Sequence, residues 1–165
     1  MNTRDLVPTL TTLFAELVTG AEQTSYVLNR GDLGLLRSLD KLSAADASRA
    51  ATGATIAAHI DHLRYGLSLM NRFAAGEDPW PAADWSTSWR ITKVSEPEWN
   101  ELRAKLRIEA ERLLGAFGAP REVTTIDLNG MVGAIAHLAY HLGAIRQIHR
   151  AATGPKESNA PSTIG

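Results

Sequence analysis

His137-Leu138-Ala139-Tyr140-His141 lies within a helix-periodic segment that runs from about Asn129 to Ala152. On an α-helix, residues four apart stand about 40° apart around the axis and about 6 Å apart along it, so the two imidazoles leave one face together. Two nitrogen donors on one rigid helix make half a metal site, and the rest must come from another helix. The matching segment is His59-Ile60-Asp61-His62, in a second apolar-periodic run. Four of the five histidines thus occupy two helices that can face each other. His149, near the end of its helix, is the weaker candidate.

Outward from these two helices, the chain reads as all-α. Leu6, Leu10, Leu13, Phe14 and Leu17 recur at spacings of three and four, which predicts a helix over 7–18 that stops at Gly20. A short amphipathic piece with Leu33, Leu35, Leu36 and Leu39 follows a turn at 29–32, and an alanine-rich stretch begins after Ser43. Ile56, His59, Ile60, Leu63, Leu67 and Met70 predict a helix from about Ala51 to Phe73, closed by Gly76 and Pro79. Ser95-Glu96-Pro97-Glu98 is a capping box that opens a third long helix, whose apolar face runs from Trp99 to Phe117. Arg121 to Leu128 reads as a connector with a brief extended piece, ahead of the histidine helix.

Four long amphipathic segments, one or two short extra helices and no βαβ alternation predict a four-helix bundle. It is expected to form one domain over 1–152, with a flexible tail over 153–165. The loop over 75–94 is long for such a fold and holds Trp80, Trp85 and Trp89. These indoles are expected to cap the bundle, with the wall of a ligand pocket as the alternative.

Composition narrows function by exclusion. A chain of 165 residues with a formal net charge of −1 lacks the basic stripe that phosphate neutralisation needs, so no nucleic-acid partner is expected. Arg103, Lys105, Arg107 and Arg112 alternate with Glu101, Glu109 and Glu111, as on a solvated helix face. No apolar run approaches the roughly 18 residues of a membrane span, and the first residues lack a secretory apolar block, so a cytoplasmic protein without a membrane partner is expected. With no cysteine, a metal must be held by nitrogen and oxygen, and zinc, nickel, iron and cobalt all suit imidazole. No HExxH zincin motif, no Glu-x-x-His di-iron pair, no phosphate loop and no nucleophile elbow is present. No general base stands out, and the catalytic residues stay unknown. Asp61, Asp84 and Tyr140 remain open for that role, although Tyr140 stands about 100° from His141 around the helix, which points to packing.

The pattern resembles the DinB-like (DinB/YfiT) superfamily of bacterial four-helix metalloproteins. The resemblance rests on Thr55-Ile56 with His62-Leu63 seven residues on, and on the run from His137 to Gln147, in an order that spans about residues 5–152. It implies a divalent metal, commonly zinc or nickel, held by the last-helix pair His137 and His141 and by one histidine of the second long helix. The spacing from Thr55 selects His62, with His59 as the alternative or as a residue behind the ligands. Where relatives usually read Gly-Gln after the pair, this chain has Gly143-Ala144.

The resemblance further implies a thiol-dependent S-transferase or isomerase that uses a low-molecular-weight thiol, such as mycothiol or bacillithiol, on a small electrophilic substrate. It also implies pairing as a homodimer. A metal-dependent hydrolase and a non-catalytic metal- or ligand-binding bundle or dimerisation module are the alternatives.

Overall fold

The computed structural model describes residues 3–21, 25–50, 53–119 and 122–156. Among them are six α-helices: α1 (Thr3–Thr19), α2 (Gly34–Leu39), α3 (Ala44–Ala47), α4 (Ile56–Ala74), α5 (Glu96–Gly118) and α6 (Thr125–Ile148). Three short 3₁₀ turns lie at Trp80–Ala82, Thr87–Trp89 and Arg150–Ala152. No described helix is long and apolar enough to cross a membrane.

Helix termini follow local side-chain chemistry. Ser95 accepts from the Glu98 amide while the Glu98 carboxylate takes the Ser95 amide, so α5 begins where the capping box sets it. Two other starts differ from the sequence expectation. α4 begins at Ile56 and not near Ala51, because Thr55 Oγ1 accepts from the Ala58 amide and Gly53, at φ 145°, breaks the chain before it. α6 begins at Thr125, four residues before Asn129, which removes the extended connector expected over 121–128. Thr124 and Asp127 form a reciprocal cap there. At its other end α6 stops at Ile148, and 150–152 turn as 3₁₀ and not as α.

The four long helices share one core. α4 packs on α5 and α6, and α1 packs on both of those, which closes a ring. Apolar residues at helical spacing fill it: Phe14 and Leu17 from α1, Leu63 from α4, Leu106 and Leu113 from α5, Leu138 and Ile145 from α6, all at most 1% exposed. The Phe14 and Phe117 rings meet at 5.2 Å, and the buried Trp99 donates its indole N–H to the Leu42 carbonyl at 2.8 Å. α1 ends at Gly20, where the chain turns with φ 102° close beneath the 32–34 backbone. A Cβ on Gly20 or Gly34 would collide with the backbone of the opposite strand of that crossing.

Two connections are held by side chains. The Glu16 carboxylate accepts from the amides of Tyr26, Val27 and Leu28, which ties the segment after α1 to that helix. Of the tail expected from 153, residues 153–156 lie against the body, and Asn29 Nδ2 donates to the Pro155 carbonyl. Residues 157–165 are outside those described.

Candidate metal centre

The site forms where α4 faces α6. His62 and Gly66 stand one turn apart on α4, and His137 and His141 one turn apart on α6. The helices place the Nε2 atom of His62 at 3.0 Å from that of His137, and the Nε2 atom of His137 at 2.9 Å from that of His141. Among the described residues, His62, His137 and His141 are the group able to offer one ligand atom each to a common ion.

Gly66 lies directly beneath the His137 and Trp85 rings. A Cβ there would sit 3.4 Å from both His137 Cε1 and Trp85 Cζ3, in ordinary contact with the two rings.

Hydrogen bonding fixes the chemistry of these nitrogens. Ser88, 1% exposed, donates its O–H to the Trp85 carbonyl at 3.0 Å, so its oxygen must accept from His62 Nδ1 at 3.0 Å. His62 is therefore protonated on Nδ1 and turns a bare Nε2 lone pair to its neighbours. An imidazole nitrogen carries one proton or one lone pair, so a single proton on His137 Nε2 has to be shared between the lone pairs of His62 and His141. A cation would take one lone pair from each of the three rings in place of that shared proton. Two nitrogens on one metal at about 2.0–2.1 Å are about 3.0–3.4 Å apart, close to the spacings observed. The donor set fits a divalent ion.

Burial keeps the lone pairs free. It lowers the His62 pKa to about 4, with the neighbouring His137 and His59 adding to the effect and Asp61 opposing it. Burial lowers His141 to about 3, again with the adjacent histidines adding. His59 and His137 are lowered by burial as well. At neutral pH these imidazoles are uncharged, the form a metal requires.

His59 stands behind the three. Its Nδ1 lies 2.8 Å from His141 Nδ1, so with the His141 Nε2 lone pair turned inward, His141 donates from Nδ1 and His59 accepts. Such a bond orients a ligand ring and raises its basicity. His149 lies apart, with Nδ1 accepting from the Ala151 amide and Nε2 at 3.0 Å from Asp46.

The tryptophan loop divides its residues. Trp80 packs on Phe73, as a cap does. Trp85 and Trp89 instead cover the histidines: Trp89 stacks on His62 with ring centres 4.3 Å apart and meets His59 edge-on, while Trp85 touches His62, Tyr65 and His137. They wall the site, the alternative that the sequence left second. The loop is pinned at three places, by Asp84 N–H donating to Tyr65 Oη, by the Ser88 bond to His62, and by Thr55 Oγ1 donating to the Ile91 carbonyl.

The groups left open as bases lie elsewhere in the bonding. Asp61 pairs with Arg64 at 2.8 Å, and Asp84 accepts from Ser86. Tyr140 is 69% exposed, so it does not pack inside as its helix position suggested; its ring stands edge-on to His141 at 5.0 Å. Sequence reasoning missed Ser88, since a serine in a polar loop carries no pattern of its own.

No family model, curated protein or solved structure matches the chain.

Proposed function

We propose that this chain is a divalent-metal-dependent enzyme of the DinB-like kind, with the Nε2 atoms of His62, His137 and His141 as ligands and zinc or nickel as the favoured metal. The observation that carries the reading is the convergence of three imidazole nitrogens, with the Nε2 atoms of His62 and His141 both within 3.0 Å of that of His137. When bound, a divalent ion supplies Lewis acidity that lowers the pKa of a thiol or a water it holds. A low-molecular-weight thiol, activated in this way, serves a chain that has no cysteine of its own. The reaction is then thiol transfer to a small electrophile.

The protein's own groups hold and orient. Ser88 sets the His62 tautomer, His59 sets the His141 ring, and the half-exposed Trp85 and Trp89 leave a wall at the surface in place of a closed shell. That open wall favours an enzyme over a purely structural metal site. The reading includes a homodimer.

The test is elemental analysis of protein purified without a histidine tag, beside a His137→Ala, His141→Ala double variant. About one equivalent of zinc, nickel or iron in the parent and none in the folded variant is the expected result. A parent that takes up none of these ions, even after incubation with them, overturns the reading.

A further inference from the structure

Three aromatic rings stand at the histidines and are also open to solvent. Trp85 is 38% exposed, Trp89 39% and Tyr140 69%. Each touches a ligand imidazole: Trp85 meets His62 and His137, Trp89 meets His62 and His141, and Tyr140 meets His141. Exposed aromatics gathered at one place mark binding surfaces, and aromatic walls are common in small-molecule sites. Their cost in water is offset only when something covers them.

The charge balance adds a second constraint. Among the described residues no carboxylate joins the three histidines. The nearest acid in sequence, Asp61, is held by Arg64, and Asp84 is held in its own turn by Ser86. Three neutral imidazoles leave the full double charge of a divalent ion uncompensated, which favours an anionic donor at its open positions.

We propose that the site takes small anions that carry an aromatic ring, such as arylthiolates and arenecarboxylates, with the anionic atom on the ion and the ring among Trp85, Trp89 and Tyr140. This rests on the metal reading above and names the substrate class for it. Aliphatic anions of the same donor chemistry bind the ion but leave the aromatic wall in water. Discrimination therefore comes from the wall, and metal uptake does not depend on it.

The experiment uses the cobalt(II)-loaded protein and two hydroxamates with the same donor group, benzohydroxamate and acetohydroxamate, each titrated by the visible absorption of cobalt. Benzohydroxamate is expected to bind at least about tenfold more tightly, the scale of one aromatic contact plus the burial that goes with it. Tyr140→Ala and Trp85→Ala are each made, and either is expected to shrink that ratio while cobalt is still bound. Tyr140 is so exposed that its loss leaves the fold intact. Equal affinities in the parent, or a ratio that neither variant moves, overturns the aromatic class while the metal site stands. Absence of cobalt uptake removes the metal reading and this inference together.

Discussion

Two polar clusters are buried along α6, and they differ in how their hydrogen bonds are shared. Near the C-terminal end of that helix Arg146 donates to Asp32 at 2.7 Å and, through Nε, to the Ala152 carbonyl, while Asp32 also accepts from the Gly34 amide. Every one of those groups meets a partner of the opposite kind. About one and a half to two and a half turns earlier, His137 meets His141 and His62 through nitrogens of the same kind. The first cluster is held by separate donors for each acceptor, and the second by one proton that His137 shares between two neighbours. Buried polar groups are normally satisfied, so the first cluster reads as structural, while the second is compatible with a bound ion.

The largest expected effect breaks the closed cluster. Arg146→Ala leaves Asp32, whose side chain is 1% exposed, as an uncompensated buried carboxylate. Removing one partner of such a pair costs about 3–5 kcal/mol, and the lower end applies because the Arg146 side chain is partly open to water. Urea denaturation measures it. Metal bound per folded molecule is expected to stay the same, and a loss of metal at undiminished stability would erase the distinction between the clusters.

Ser88→Ala acts on the open cluster and sharpens the contrast. Without the serine oxygen, His62 Nδ1 loses its acceptor and the Nε2 tautomer is no longer fixed. Loss of a hydrogen bond behind a metal-binding imidazole lowers metal affinity by about 10–100-fold. Competition with a chelator reads this change. The cost to stability is expected to be smaller than for Arg146→Ala, and an unchanged affinity would show that Ser88 does not orient the ligand.

The same contrast explains which parts were legible in the sequence. Helix periodicity and the Ser95 capping box are local patterns, so α5 and the core faces of α1 and α4 could be read directly. Both i, i+4 imidazoles on α6 were legible for the same reason. The choice between His59 and His62 was not settled by helix geometry, because residues three apart share a face, and packing against α6 decides which nitrogen reaches His137. Trp85, Ser88 and Trp89 belong to a loop, where position depends on long-range bonds such as that of Thr55 to the Ile91 carbonyl. The α6 start was missed because β-branched Thr124, Thr125 and Ile126 suggest extended chain. What outweighs that preference is Asp127.

That cap carries the smallest effect and sets the scale for the others. Thr124 Oγ1 accepts from the Asp127 amide at 3.2 Å, and the Asp127 carboxylate takes the Thr124 amide at 2.8 Å. This polar pair is complete, like the Asp32 cluster, yet it lies at the surface. Water can replace each bond when one side is removed, so Thr124→Ala is expected to cost only about 1 kcal/mol of stability. Metal affinity should not change, since the cap lies more than three turns before His137 on the helix. A loss as large as that of Arg146→Ala would mean that completeness, and not burial, sets the cost of breaking a polar pair in this protein. A loss near the smaller figure assigns the cost to burial and leaves the histidines as the buried polar group that gains by binding.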